Sequence, residues 1–292
     1  MNQALITQKT PLGGPPELAT LASQVRALPP LSDALAEVMV ALRREQMPSN
    51  RCIQLIERDQ ALTAATLRLA NSAFYGVPGE VHRVADAMRL VGLRSVASVL
   101  VASTLQSQLN PSACVGFSFP LYWQHALVSA LAARALALRG NAGADAAFLG
   151  GLMHNVGQLV LAALLPVPMS QALALAREQD LPCEEAEREV LGWSNRPLGA
   201  LLLQRWHFPE DVLHAVGAED VPPGDLGDAE ARLTQAVQTA RHLARWLLAY
   251  PQLSAEALPE DLAERCRLLG VPAGERPALL AQLREDARAL AA

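Results

Sequence analysis

Apolar residues recur along most of this 292-residue chain with the 3.6-residue period of an α-helix. Leu35, Val38, Met39 and Leu42 follow the i, i+3, i+4, i+7 spacing that places apolar side chains on one helix face. No alternating strand pattern longer than a few residues is present in the sequence. Aromatic residues make up only 4% of the chain, so its apolar content is mainly Ala, Leu and Val, which suits packed helices. We therefore predict an all-α fold.

Capping and stop signals predict where several helices begin and end. Ser32 and Asp59 are candidate N-caps, because their side-chain oxygens can accept hydrogen bonds from the first backbone N–H groups of a helix. Gly92 is typical of a helix C-terminus. The stretch 146–165 is apolar on nearly every side and predicts one buried central helix, with Asp145 as its N-cap.

Proline-rich and glycine-rich segments divide the chain. The loop-like segment 111–120 contains Phe117 and Phe119, two aromatic side chains that we expect to pack between the flanking units rather than stay in water. The predicted organisation is a flexible leader at 1–17, an N-terminal helical subdomain at 18–110, a connector at 111–120, a second helical subdomain at 121–250 and a C-terminal helical extension at 251–292.

The charge and cysteine content exclude several classes of protein. The net charge is −5 and the arginines are scattered, so nucleic acid is not expected as a partner. No two of the four cysteines form a C-x-x-C pair, and we interpret them as small buried hydrophobic residues. The N-terminus has no apolar run behind a basic start, as a signal peptide would, and the longest apolar stretches fall short of the ~18 residues that a membrane span needs. We expect a soluble cytoplasmic protein that has no contact with membranes.

One segment carries a specific signature. Residues 55–76 read LIERDQALTAATLRLANSAFYG, in which a helix ends near Asn71 and Ser72 and two aromatic rings, Phe74 and Tyr75, follow at the turn. We predict that these four residues are structural and that a Phe74→Ala change costs about 3–5 kcal/mol if the ring is buried.

This segment resembles the HDOD domain, a bacterial signalling module related to the HD phosphohydrolases, although Gln60 stands where the family usually has Pro. The other segments that resemble the family are 28–39, 122–137, 147–162 and 187–216. The resemblance covers roughly residues 18–250. It implies two packed helical subdomains, of which the second is a degenerate HD domain.

An active HD site binds one or two divalent metal ions through imidazoles and carboxylates, and the metal lowers the pKa of a bound water. By resemblance, the upstream His of the family corresponds to His125, and the His–Asp pair corresponds to His154 and Asn155. The downstream Asp falls near Arg241. An amide and a guanidinium would then stand where the metal needs carboxylates.

Two more histidine positions of active relatives fall on Asn195 and Glu219. We therefore expect no metal, no cofactor and no enzymatic activity.

The remnant of this site is expected to be a ligand pocket formed by His125, His154, Asn155, Gln158 and Arg241. His154 lies in the predicted buried helix, where its ring needs a hydrogen-bond partner. Asn155, Gln158 or His125 are the candidates that the sequence offers.

The favoured hypothesis is a non-catalytic regulatory module. Its expected partners are signalling proteins of two-component or cyclic-dinucleotide pathways, together with a small-molecule ligand. The main alternative is a metal-dependent HD-type phosphohydrolase that acts on a nucleotide or cyclic dinucleotide, and a third hypothesis is a nucleic-acid-binding regulator. A metal site between His207 and His214 is a further, weaker alternative to an ordinary polar face.

Overall fold

The computed structural model describes residues 18–28, 31–44, 49–71, 79–220, 224 and 227–291. Within these residues the regular structure is helical and contains no strand, so the predicted all-α fold is confirmed. The helices are α1 (Leu18–Ala27), α2 (Asp33–Arg44), α3 (Ser49–Glu57), α4 (Gln60–Ala70), α5 (Val84–Val91), α6 (Leu93–Gln108), α7 (Phe119–Arg139), α8 (Ala144–Met153), α9 (Val156–Leu164), α10 (Pro166–Glu178), α11 (Cys183–Leu191), α12 (Arg196–Arg205), α13 (Glu210–Gly217), α14 (Ala229–Ala249), α15 (Glu260–Leu268) and α16 (Arg276–Ala291).

The N-terminal helices begin and end where the capping signals predict. Ser32 Oγ lies 3.4 Å from the backbone N of Leu35, and Asp59 Oδ1 accepts hydrogen bonds from two backbone N–H groups at the start of α4. Gly92 separates α5 from α6 with a φ of +86°, a conformation that residues with a side chain rarely adopt. Leu35, Val38 and Met39 are fully buried, so the apolar stripe of α2 faces the core.

The side chain of Asn71 forms hydrogen bonds that stabilise the turn at the end of α4. Its amide nitrogen donates to the backbone oxygens of Leu67 and Val81 at 3.0 and 2.7 Å, and its side-chain oxygen accepts from Val81 N at 2.9 Å. These bonds hold the start of the next segment against the end of α4, as expected for a structural residue. The predictions for Ser72, Phe74 and Tyr75 lie outside the described residues.

Helix α7 is the centre of the C-terminal half, where it packs against α8, α14 and α16. Gly151 of α8 allows this close approach, because a Cβ at that position would lie 2.7 Å from Ala130 Cα and from Ser129 O. The glycine pair at 150–151 therefore serves helix packing. The segment 251–292, predicted as an extension, brings α16 into contact with α7.

The prediction of one continuous helix over 146–165 was wrong, because the chain breaks between α8 and α9 at His154 and Asn155. Helix α8 also begins two residues earlier than predicted, with Gly143 at the N-cap position and Asp145 in the first turn. An apolar pattern predicts that a segment is buried. It does not predict a two-residue break when the helices on both sides of the break are buried.

The same stretch also bears on the prediction that no apolar segment is long enough to span a membrane. Ala144–Leu164 is long and apolar enough to cross a membrane by length and composition, so the sequence does contain one such candidate among the described residues. However, 83% of its most apolar window is buried inside the molecule, which is what the core helix of a soluble protein shows.

Helix α7 begins at Phe119, two residues before the predicted start at 121. Ser118 Oγ lies 3.5 Å from the backbone N of Leu121 in the N-cap position, and a proline stands in the first turn. The rings of Phe117 and Phe119 pack against the core, with their centroids 5.6 and 5.7 Å from that of Tyr122. A 3₁₀ turn at Pro111–Ala113 lies against α9 and α10.

The two halves also contact each other elsewhere. Helix α6 packs against α8, α1 packs against α12, and Arg205 Nη2 donates to the backbone oxygen of Leu28 at 2.8 Å. The division into two subdomains at 111–120 stays a prediction.

Because the connector rings are packed, we expect slow proteolysis between residues 111 and 120. Trypsin has no Lys or Arg to cleave there, so the measurement uses limited digestion with chymotrypsin, which cleaves after Phe, and mass spectrometry of the fragments. Cleavage should be no faster there than in other folded segments, since a protease needs the chain to open locally. Rapid cleavage into two stable fragments would instead show a flexible tether.

Candidate functional site

All five predicted site residues line one cleft of about 510 Å³. His125 and Arg241 come from α7 and α14, His154 and Asn155 from the break between α8 and α9, and Gln158 from α9. Other parts of the lining come from the connector, from α10 and from the start of α11. The structure therefore brings together residues that are more than 100 positions apart in the sequence.

The two histidines of the cleft are held by main-chain carbonyl groups. His125 Nε2 lies 3.2 Å from Arg241 O, and His154 Nδ1 lies 2.7 Å from Gly151 O. A carbonyl oxygen can only accept, so both ring nitrogens carry a proton. The predicted partners of His154, namely Asn155, Gln158 or His125, were wrong, although the His125 and His154 rings do meet edge to face with centroids 5.0 Å apart.

Both imidazoles are neutral near pH 7. Burial lowers the pKa of His125 to about 4. Burial, the neighbouring His125 ring and two guanidinium charges lower the pKa of His154 well below its usual value, although its hydrogen bond to Gly151 acts in the opposite direction. The remaining ring nitrogens, Nδ1 of His125 and Nε2 of His154, are therefore hydrogen-bond acceptors.

Two asparagines of the lining have carboxamide oxygens without a partner among the described residues. Asn155 is 5% exposed and Asn195 is 1% exposed. A buried polar atom without a hydrogen bond is costly, so a water or a ligand that donates to these two oxygens would be favoured.

Arg241 is buried in an ion-pair network. Its guanidinium forms salt bridges with Glu184 and Asp220, and Asp220 Oδ2 also lies 3.0 Å from His242 Nε2. Burial raises the pKa of Glu184, but the charges of Arg241 and Arg196 outweigh burial and lower it overall. The pKa of Asp220 is likewise lowered, because its hydrogen bond with His242 and the charge of Arg241 outweigh burial. Both carboxylates are therefore ionised and paired.

Sequence reasoning missed a second arginine of this network. Arg196 is 2% exposed, with its Nη2 atom 3.3 Å from Glu184 Oε2 and 3.4 Å from Asp220 Oδ2. It also donates to the backbone oxygen of Ala218. Its partner Glu184 lies 12 residues away and pairs with Arg241 across 57 residues, so no local spacing could have indicated the cluster.

A third feature missed from the sequence is a buried carboxyl group beside the cleft. Glu187 is fully buried, and its Oε2 accepts hydrogen bonds from the backbone N and from Nδ2 of Asn195 at 2.7 and 2.8 Å. Burial raises the pKa of Glu187 to about 7, although both bonds from Asn195 act in the opposite direction. The pair orients Asn195 in the cleft wall, because an oxygen that accepts from the backbone N–H must face the amide nitrogen of the side chain.

This raised pKa predicts a pH dependence of stability. In the unfolded chain Glu187 ionises near pH 4.5, so between about pH 4.5 and 7 the folded state binds more protons than the unfolded state and its stability falls as the pH rises. We expect the wild type to lose up to about 3 kcal/mol relative to Glu187→Gln between pH 4.5 and 8, at 1.36 kcal/mol per pKa unit. Urea unfolding of both proteins at pH 5, 6, 7 and 8 measures the difference. A difference that is constant with pH would contradict the prediction.

The remaining candidate residues do not join the cleft. His207 lies between α12 and α13, so it shares no helix with His214, whose Nδ1 lies 2.6 Å from Glu230 Oε1 on an exposed surface. Glu219 pairs with Arg188. Across the part of the chain that the structure describes, no group of three or more His, Cys, Asp or Glu side chains is arranged to hold a metal ion.

The packed helices and the histidine-bearing cleft define an all-α protein with a candidate ligand site. A family model described as the HDOD domain matches residues 28–222, about two thirds of the chain. The chain therefore belongs to the HDOD domain family.

Solved structures agree with this assignment. A protein of Shewanella amazonensis SB2B, provisionally named a phosphohydrolase, is 25% identical with a TM-score of 0.72 over 93% of this chain and 98% of that one. The MmoQ response regulator of Methylococcus capsulatus is 29% identical with a TM-score of 0.50, over 86% of this chain and 97% of that one. An HDOD domain protein of Geobacter sulfurreducens, 20% identical with a TM-score of 0.69 over 93% and 96%, shares the fold.

Among curated proteins, an uncharacterized protein of Treponema pallidum is 26% identical over 224 residues. The match covers 74% of this chain but only 41% of that relative.

Proposed function

We propose that this protein is a non-catalytic signal-transduction module that works by binding a protein or a small ligand at the cleft. The observation that carries the proposal is the buried guanidinium of Arg241, paired with Glu184 and Asp220 beside the two histidines. By resemblance, an active HD site would have a carboxylate near the position of Arg241.

The electrostatics of the cleft argue against a divalent cation. A guanidinium stays protonated at any physiological pH, so the positive charge of Arg241 would repel a metal ion bound beside the two histidines. The nearby carboxylates already have two arginine partners, and Asn155 supplies an amide where a metal site needs an anionic ligand. The residues present therefore do not fit a catalytic metal centre.

The comparisons support a role in signalling at the level of the family. One structural relative is named a response regulator. For this chain we propose signalling proteins of two-component or cyclic-dinucleotide pathways as partners, and a cytoplasmic location. Affinity purification from the native cell followed by mass spectrometry tests the partners.

The alternative is a metal-dependent phosphohydrolase with a rearranged site. It is favoured by the close pair of His125 and His154 in one cleft, and by the phosphohydrolase name of one structural relative.

The two functions differ in a measurement of metal content and turnover. We expect purified protein to contain no stoichiometric Mn, Fe or Mg, and to hydrolyse neither cyclic dinucleotides nor a generic phosphodiester above background. His154→Ala is the control, because any turnover from this cleft should vanish in that variant. Turnover well above background that is lost in His154→Ala would overturn the non-catalytic proposal.

A further inference from the structure

The cleft lining contains hydrogen-bond acceptors that lack a donor. Four atoms in its lining residues are acceptors without a donor among the described residues: Nδ1 of His125, Nε2 of His154, and the Oδ1 atoms of Asn155 and Asn195. The orientation of Asn195 is fixed independently, since both its backbone N and its Nδ2 donate to Glu187. A ligand that complements this set must supply hydrogen-bond donors.

The charges around the cleft decide between a neutral donor and a cation. The two carboxylates of the cleft lining already pair with arginine: Glu184 pairs with Arg196 and Arg241, and Asp180, at the exposed edge, pairs with Arg245 at 3.3 Å. The environment that keeps both imidazoles neutral disfavours any other positive charge at the same place. A buried cation without an anionic partner is strongly unfavourable.

The apolar part of the lining is suited to a ring. Phe117, Leu121 and Tyr122 contribute apolar surface from the connector and α7, while Leu173 and Leu181 contribute it from α10 and the turn after it. A cleft of about 510 Å³ lies within the range of 300–1,000 Å³ that is typical of small-molecule sites.

We propose that the cleft binds a neutral aromatic or heteroaromatic molecule that carries N–H donors, such as a ring carboxamide or a ring amine. This inference rests on the proposed function, since it treats the cleft as a binding site. It adds the chemical class of the ligand.

The test compares probes that differ only in donors or charge. Benzamide carries two N–H donors, N,N-dimethylbenzamide carries none, and benzamidine is the cationic analogue. 9-Methyladenine, which carries two exocyclic N–H donors, and N6,N6,9-trimethyladenine, which carries none, form a second pair. Binding to the full chain is measured at pH 7 by isothermal titration calorimetry, with ligand-observed magnetic resonance for weak complexes.

We expect the donor-bearing member of each pair to bind about fivefold or more tightly than its methylated partner, because unpaired buried acceptors discriminate against ligands without donors. Benzamide should also bind more tightly than benzamidine. The Asn155→Ala variant should weaken binding of the donor-bearing probes and leave the methylated probes unchanged. Gln171→Ala, which changes an exposed amide of α10 outside the cleft lining, is the matched control.

Three results would overturn the inference: equal binding within the pairs, tighter binding of benzamidine, or no binding of any donor-bearing probe. The comparison within each pair uses the wild type, so it does not depend on whether the Asn155→Ala variant folds. None of these results bears on turnover, so failure of the ligand class can be distinguished from failure of the non-catalytic proposal.

Discussion

Replacing Arg196 with Met should lower the free energy of unfolding by about 3–5 kcal/mol, the range expected when one partner of a buried ion pair is removed. Met preserves most of the aliphatic volume, so the change removes mainly the charge and the donors. Arg241 would then be the one arginine left to pair with Glu184 and Asp220 in this network, and the backbone oxygen of Ala218 would lose the Arg196 donor. Urea unfolding followed by tryptophan fluorescence measures the loss.

Arg188→Met is the matched control for this variant. Arg188 also pairs with an acidic residue, Glu219, but their side chains are 39% and 62% exposed. Exposed pairs contribute about 0–1 kcal/mol, so the control should unfold close to the wild type. If Arg196→Met were as stable as Arg188→Met, the network would not be a source of stability.

Gly157→Ala is expected to cost about 3 kcal/mol, at the upper end of the range for overpacking. A Cβ on Gly157 would lie 2.0 Å from the backbone oxygen of Asn195 and 2.9 Å from Gly199 N, so helix α12 would have to move away from α9. Backbone cannot rotate aside as a long side chain can, and the helix propensity of Ala returns at most about 1 kcal/mol.

The control for this change is Gly274→Ala. A Cβ at Gly274 would meet no atom within 4 Å, and the residue does not have a positive φ. Such a substitution typically stabilises a protein by about 0.4–1 kcal/mol by restricting the unfolded chain. Wild-type stability of Gly157→Ala would mean that α9 and α12 separate easily, and with them the wall that holds Asn195.

The helices could be predicted from the sequence because their signals are local. The spacing of apolar residues over one or two turns predicted the buried face of α2. The predicted N-cap, Asp59, lies directly before the first residue of α4. The break at His154 and Asn155 could not be predicted, because both sides of it are equally buried. Apolar content is the same for one long core helix and for two short ones.

The site was predicted in part, for a related reason. Four of the five predicted residues came from a resemblance to a family, and Gln158 was added because it lies one helical turn from His154; all five line one cleft. Arg196, Glu184 and Asp220 were missed because charged residues are usually read as solvated surface. Only the packing of α11, α12 and α14 shows that their charges neutralise one another out of water.

The positive charge beside the histidines is attached to the chain itself. A bound metal ion can be removed by a chelator, exchanged for a competing ion, or lost when the cell is starved of it. Arg241 is subject to none of these, and its pairing with Glu184 and Asp220 needs no supply from outside. The charge that these three residues contribute to the cleft is therefore set when the protein folds and does not depend on the supply of a metal.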